Sequence, residues 1–256
     1  MKQRLDQAVF LRGLTRSRSE AESWIRLGKV FVNKKVVTKS GFFVDDADDI
    51  QLKTAERYVS RAGLKLASVA DKFGIDFADK IVLDVGSSTG GFTDYALQHG
   101  AKKVIAVDVG TDQLHPSLHD NSRIELHEKT DIREVALVGS RMKDEGRNEI
   151  IFIQAPDVIV IDVSFISLRE ILPHISSFIL HPSSVCLAMV KPQFEAGKHQ
   201  ASKGVIKNNA VRREILRDFE MWAKQYFVIK DKADSDVTGT RGNRERFYKL
   251  MIAKHS

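Results

Sequence analysis

The chain has 256 residues, 43% of them apolar and 29% charged, which suits a globular protein with one large core and a small additional domain. No uninterrupted apolar stretch approaches the ~18 residues of a spanning helix; the longest greasy region, Ile150 to Ile166, is broken by Gln154, Pro156, Asp157 and Asp162. A single cysteine, Cys186, excludes an intrachain disulfide and points to a reducing compartment. It lies in the apolar run Val185 to Val190 and reads as a buried small hydrophobe. The opening Met1-Lys-Gln-Arg-Leu-Asp6 leads into a polar, arginine-rich segment rather than an apolar signal core, so cytoplasm is the expected location. The net charge of +6 is unevenly placed. Residues 1–65 hold 14 Lys/Arg against 8 Asp/Glu, whereas residues 66–256 hold 26 against 26. This asymmetry implies an anionic partner for the N-terminal segment, nucleic acid before membrane.

Leu5, Val9 and Phe10 predict a short amphipathic helix ended by Gly13. Ser17-Arg-Ser-Glu20 reads as a capping box for a second helix through Ala21, Trp24 and Ile25 that stops at Gly28. Val30-Phe-Val32 and Val36-Val37 predict two strands around the basic turn Asn33-Lys-Lys35. Arg12, Arg16, Arg18, Arg26, Lys29, Lys34, Lys35 and Lys39 gather on this unit, as suits the tracking of a phosphate backbone. Together with Arg4-Leu-Asp6, the Thr15 to Arg18 run and Gly28-Lys-Val-Phe-Val-Asn33, the segment resembles an S4 RNA-binding domain over about residues 1–50. The resemblance implies RNA contacts from Arg4, Arg12, Arg16, Arg18, Arg26, Lys34 and Lys35. Residues 45–58 are acidic and polar and read as the join, giving expected domains of 1–58 and 59–256.

A helix then opens over Tyr58 to Leu66, carrying Lys65 among apolar neighbours, a pattern that by itself describes a snorkelling surface cation. Ile81-Val-Leu-Asp-Val85 is a buried strand that runs into a turn with Gly86, Ser87, Ser88, Thr89, Gly90, Gly91 and Phe92. A dinucleotide fingerprint needs a glycine where Ser88 stands, and a P-loop needs a lysine where Phe92 stands. A phosphate-free cofactor such as S-adenosylmethionine fits the spacing better; a structural turn with no ligand is the alternative. After a short helix to His99, Val104 to Val107 is a second strand ending at Asp108, placed to accept from both ribose hydroxyls of an adenosine. Ile124 to His127 is a weaker third strand. Asp131 beyond it either accepts from an adenine amino group or caps a helix containing Ile132, Val135 and Val138. Residues 139–149 read as a charged loop.

Val158 to Ile161 is a fourth strand ending at Asp162, and a long helix is expected over Leu168, Ile171, Leu172, Ile175, Phe178 and Ile179. Val185 to Val190 is a fifth strand ending at Lys191. A helix around Ile215, Phe219 and Trp222 precedes strands at Phe227 to Ile229 and Phe247 to Ile252. The alternation predicts an α/β fold with a mostly parallel, doubly wound sheet whose functional groups sit at the carboxyl ends of the strands. Gly86, Asp108, Asp162 and Lys191 then share one crevice, with Lys65 and Glu245 as further members.

A sulfonium cofactor beside two lysines and two acids suits methyl transfer to a hydroxyl, which needs a partner for its proton or for the forming alkoxide. Amino-group methylation favours an [Asn/Asp]-Pro-Pro-[Tyr/Phe] turn, but Asp162-Val-Ser-Phe165 lacks the prolines. Carbon-5 pyrimidine methylation wants a cysteine nucleophile, and Cys186 is inside a strand. Val59 to Leu66, Leu83 to Asp94, Ala106 to Gly110, Asp162 to Leu168, Lys191 to Gly197 and Gly242 to Glu245 resemble the hemolysin A (TlyA) family, which couples an S4 domain to an FtsJ-like methyltransferase domain and includes ribosomal RNA 2'-O-methyltransferases. The resemblance implies a Rossmann-like class I S-adenosylmethionine-dependent domain, a Lys65, Asp162, Lys191, Glu245 catalytic tetrad, and ribosomal RNA or its subunits as partner, with no metal. Asp131 departs from the asparagine of many relatives. A noncatalytic RNA-binding assembly factor, or the membrane-active role that the family name implies, are the alternatives. Loss of a tetrad residue would favour the first, and none is lost; no apolar span supports the second.

Overall fold

The computed structural model describes residues 2–15, 18–26, 28–53, 58–138, 151–179, 181, 183–196, 205–206, 208–237 and 243–252, without the side chains of residues 19, 20, 23, 26 and 152. Arg16, Ser17 of the capping box, the Arg26 side chain, the 139–149 excursion, Gly197 and Gly242 lie outside the described residues. Two compact units are present, one of Met1–Arg57 with Leu114–Asp120, the other of Tyr58–Gln113 with Asn121–Ser256. The grouping of Leu114–Asp120 with the first unit is not anticipated by a boundary at residue 58.

The first unit contains β1 (Gln3–Arg4), α1 (Leu5–Leu11), α2 (Arg18–Arg26), β2 (Val30–Val32), β3 (Lys35–Val36), β4 (Phe43–Val44) and β5 (Ile50–Leu52). Leu5, Val9, Trp24, Ile25, Val30 and Ile50 form its core. Asn33 and Lys34 have φ of 50° and 66°, the left-handed pair of a tight hairpin turn, and Lys34 and Lys35 project from it exposed. The acidic segment is not a join throughout. Ile50 and Leu52 are apolar at alternate positions, and β5 pairs with β2. The aspartates before β5 fold into a loop fastened by Arg12, which donates to the Asp48 carbonyl at 2.7 Å and the Asp45 carbonyl at 3.0 Å.

Arg4 and Arg18 also have partners inside the protein. Both donate to the fully buried carboxylate of Asp6, at 2.9 and 2.5 Å. Burial by itself would raise that carboxyl, but the arginine hydrogen bonds overcome it and hold Asp6 at about 2, below its ordinary 3.8. Because the folded value is the lower one, this stabilisation is full above about pH 4 and is lost as pH falls toward 2. Asp6→Asn is therefore expected to weaken the first unit at neutral pH and flatten its acid limb. Urea unfolding at several pH values, followed by Trp24 fluorescence in a Trp222→Phe background, measures this; an unchanged acid limb would refute it.

The second unit contains α3 (Arg61–Ala70), β6 (Ile81–Val85), α4 (Gly91–Gln98), β7 (Lys103–Val107), β8 (Ile124–His127), β9 (Val135–Leu137), β10 (Ile151–Ile153), β11 (Val158–Ile161), α5 (Leu172–Ile175), β12 (Val185–Val190), α6 (Pro192–Glu195), α7 (Asn209–Ala223), β13 (Phe227–Asp234) and β14 (Arg246–Ile252). Its seven-stranded sheet has the order β13-β14-β12-β11-β6-β7-β8. The five strands from β12 to β8 run parallel, β14 runs antiparallel to its neighbours β12 and β13, and β13 therefore points the same way as the five. Every residue of β11 and β12 is buried, as a central strand covered on both faces requires. No helix among the described residues is long and apolar enough to cross a membrane.

Two expected helices are corrected. Asp131 caps only a 3-10 turn, Ile132–Glu134, after which β9 pairs with the unexpected β10. The β-branched Val135 and the all-buried Val-Ala-Leu run suit a strand better than a helix face. Leu168 to Ile179 breaks into a 3-10 turn, the short α5 around Pro173 and a second 3-10 turn. Proline lacks the N–H that an uninterrupted helix needs, and it disfavours helical backbone in the residue before it.

Candidate active site

The chain runs from β6 to β7 on one side of the sheet and later returns to β11 on the other, so a crevice opens beyond the carboxyl ends of β6 and β11. Gly86 leaves β6 there with φ of +80°, and a Cβ at this position would lie 2.8 Å from the Asp162 carbonyl oxygen. The turn is tied to β7: the Gly86 amide donates to the Val107 carbonyl at 2.8 Å, and the Ser88 amide to Asp108 Oδ2 at 2.8 Å. Asp108 Oδ1 also accepts from the Gly110 amide at 2.7 Å. Each oxygen so used has a further lone pair with which to receive a ligand hydroxyl.

A cavity of about 420 Å³ fills the crevice. Gly86, Ser88, Asp108, Asp131 and Asp162 line it. Three of these are carboxylates, and among the described residues no lysine or arginine is in the wall, although Arg133 and Lys191 pair with two of the acids from outside it. Such a wall disfavours a diphosphate and suits a phosphate-free ligand with positive charge. Ser87, Thr89, Gly90, Gly91 and Phe92 are not in the cavity wall. Gly91 packs against Ser60 and Ala62, and Phe92 is buried against Phe247. Asp84 is buried behind the turn, with Oδ2 accepting from the Thr93 hydroxyl at 2.6 Å and Oδ1 lacking a hydrogen-bond partner. Burial, reinforced by the charges of Asp162 and Asp108 and only partly offset by Thr93, pushes its carboxyl up to about 7.

The four predicted catalytic residues form two ion pairs, and Asp162 among them is in the cavity wall. Lys191 Nζ lies 2.6 Å from Asp162 Oδ1 and donates to Ser164 Oγ at 2.8 Å; Lys65 Nζ lies 2.6 Å from Glu245 Oε2. Val190 is opposite Arg246 in the β12–β14 ladder, which brings Lys191 and Glu245 to neighbouring strand ends. All four side chains are 15% exposed or less, so Lys65 is no snorkelling cation.

Residues 58–251 match the FtsJ-like methyltransferase family, and residues 3–50 match the S4 domain. The chain belongs to the FtsJ-like methyltransferase family. Hemolysin A of Brachyspira hyodysenteriae is 39% identical to this methyltransferase over 97% of the chain and 100% of its own length. The 16S/23S rRNA (cytidine-2'-O)-methyltransferase TlyA of Mycobacterium tuberculosis is 36% identical over 95% of the chain and 88% of its own. A solved hemolysin-named structure from Streptococcus thermophilus superposes with a TM-score of 0.69 at 36% identity, covering 99% of this chain and 89% of that one.

The methyltransferase site also contains residues that sequence patterns alone do not single out. Phe165, between Ser164 and the rest of the loop, is 92% exposed and has φ of 67°. A left-handed conformation costs a bulky residue about 1–3 kcal/mol, and here no burial offsets it. Its ring lies 5.4 Å from that of Phe194. Gln113 stands at the cavity mouth and accepts from the Ser88 hydroxyl at 3.0 Å. Neither has a periodicity or a spacing that would reveal it. Cys186 is fully buried, with its thiol pushed up by burial, which removes it as a nucleophile. Among the described residues no group of three or more His, Cys, Asp or Glu is arranged to hold a metal ion.

Proposed function

We propose that this methyltransferase transfers the methyl group of S-adenosylmethionine to a ribose 2'-hydroxyl of ribosomal RNA, in the cytoplasm, on ribosomal subunits or their RNA. The observation that carries the reading is the carboxylate-lined cavity, with Asp162 of its wall paired to Lys191 and the Lys65–Glu245 pair at the neighbouring strand end. S-adenosylmethionine supplies an electrophilic methyl group on a sulfonium centre. Asp108 would hold the ribose hydroxyls of the cofactor, Gly86 lets its body approach the backbone, and Asp131 and Asp162 face it with negative charge.

In the substrate, the attacking oxygen must lose a proton as its bond to the methyl carbon forms. Lys191 Nζ donates to Ser164 and lies 2.6 Å from Asp162 Oδ1, which leaves one position on the nitrogen for that oxygen. Once Lys191 has given one proton to the Asp162 carboxylate 2.6 Å away, its nitrogen lone pair takes the proton that leaves the hydroxyl, so the pair as a whole gains one. Lys65, fixed by Glu245, adds a second positive charge against the developing alkoxide. Phe165, exposed beside Lys191, offers a flat apolar face to a base turned out of its stack.

Methyl transfer from labelled cofactor to naked ribosomal RNA, each subunit and intact ribosomes, with the product mapped by nucleotide, tests the reading. No transfer to any of them despite measurable cofactor binding would overturn it. Of the basic residues of the first unit, Lys34 and Lys35 are exposed on the hairpin turn, whereas Arg4, Arg12 and Arg18 have internal partners. Lys34→Glu with Lys35→Glu is expected to weaken RNA binding and to lower the slope of log affinity against log salt by about 1 for each phosphate no longer neutralised. Filter binding across a salt series reads this, and an unchanged slope would remove the turn from the interface.

A further inference from the structure

We propose that Glu195 is a positioning residue whose carboxylate clamps the Asp162–Leu168 loop to the segment that follows Lys191, and so holds Phe165 in the conformation that meets the RNA. This rests on the reading that RNA is the substrate.

The clamp is one end of a row of contacts between two short stretches of chain. Lys191 touches Asp162 and Ser164; Phe194 lies against Phe165; Glu195 closes the row. Its Oε2 accepts from the Ser167 hydroxyl at 2.6 Å and its Oε1 from the Leu168 amide at 2.7 Å. The side chain is 1% exposed, and Arg169, 3.5 Å away, extends the brace to Asp218 on α7 at 2.7 Å. A carboxylate removed from water needs these donors, and burial raises its pKa above the ordinary value in spite of them. Phe165 sits between the Lys191–Ser164 contact on one side and the Glu195 contacts on the other. An exposed left-handed phenylalanine persists only when its flanks are held. Glu195 holds the flank that Lys191 does not.

The test uses the full chain with Glu195→Ala, Glu195→Gln, Phe165→Gly and the double variant of Glu195→Ala with Phe165→Gly. Glu195→Ala is expected to lower kcat/KM for ribosomal RNA by about 10–50-fold, mainly through KM, with a smaller loss of S-adenosylmethionine affinity, below about fivefold by calorimetry, because residues 162–166 also line the cofactor cavity. Glutamine can still accept from the Leu168 amide and donate to the Ser167 hydroxyl, so Glu195→Gln is expected to restore most of the loss. In the Phe165→Gly background, where positive φ is unstrained and the ring is gone, removing Glu195 is expected to cost less than about threefold. Independent of activity, amide exchange at Leu168 is expected to rise in Glu195→Ala while Gly86 to Gly91 keep their protection. Multiplicative losses in the double variant, or a parallel loss of cofactor affinity, would overturn the proposal and mark Glu195 as general support. Should Glu195→Ala not fold, Ser167→Ala, which removes one of the two donors to Glu195 together with the acceptor for the Arg169 amide, takes its place in the same cycle. A wild-type chain that methylates no RNA would refute the substrate reading, and the exchange measurement would still decide the clamp.

Discussion

Replacing Lys191 with alanine is expected to lower the rate of methyl transfer to ribosomal RNA by about 10²–10⁴-fold, the range for removal of a positioned acid–base group. Lys191 is outside the wall of the cofactor cavity, so S-adenosylmethionine should bind with nearly unchanged affinity, and the loss should appear in kcat. The fold should survive, because Lys191 follows β12 and its partners Asp162 and Ser164 both reach the cavity wall, where water can replace the missing ammonium. Lys191→Arg is not expected to restore the rate. A guanidinium keeps the charge but does not give up a proton, and its planar fork cannot reproduce contacts at 2.6 and 2.8 Å in two directions from one nitrogen. Single-turnover transfer with calorimetric cofactor binding separates the two effects. Retention of more than about a tenth of the wild-type rate in Lys191→Ala would remove this residue from the reacting atoms.

Gly86→Ala is expected to reduce cofactor affinity by about tenfold or more, a change of roughly 1.4 kcal/mol for each factor of ten, and to lower transfer as well. The backbone conformation alone costs an alanine about 1–2 kcal/mol. The new methyl group adds a clash, 2.8 Å from the Asp162 carbonyl oxygen and 3.1 Å from Val163 Cγ1. To relieve it, the end of β11 must move away from β6, taking with it Asp162, which both lines the cavity and holds Lys191. Gly74→Ala is the control. Gly74 also has positive φ, +59°, but nothing lies within 4 Å of where its Cβ would be. Both variants should lose stability, and only Gly86→Ala should lose cofactor. Equal cofactor binding by the two would show that the close approach of β6 and β11 is not what shapes the site.

The strands that make the site were legible because they are central. β6, β7, β11 and β12 are near-continuous apolar runs, each followed at once by a glycine, acid or lysine, and the doubly wound order followed from their alternation with helices. Elements outside the sheet centre were read less well. Val135 to Leu137 is too short for its period to be told, and its partner β10 comes after residues 139–150, which lie outside the described residues. Leu168 to Ile179 keeps its apolar side inward in turns of two kinds, so burial matched a helix that Pro173 does not allow to run through. The Lys191–Asp162 and Lys65–Glu245 pairs could be anticipated only through family resemblance, since the four residues are far apart in the chain and the fold alone brings each pair together. Charge counting located the excess of basic residues in the first unit but could not foresee that Asp6 engages Arg4 and Arg18, because a buried acid among arginines looks like a solvated one. Phe165 was visible only as the aromatic that ends Asp162-Val-Ser-Phe165: its further significance lies in a dihedral angle and an exposure, neither of which is written in residue type.

β14 lies between β12 and β13 although it follows both in the chain, and this sets an order of assembly. As translation proceeds, β6, β11 and β12 can pair as soon as residue 190 has emerged, and the Lys191–Asp162 contact with them. Lys65 must wait for Glu245, just ahead of β14. Until then β12, apolar throughout, has one edge of its backbone unpaired, which is a template for another nascent chain as much as for its own last strand. A stalled or prematurely released chain ending before residue 245 is therefore expected to be doubly defective, lacking half of the tetrad's pairing and prone to associate through an open β12.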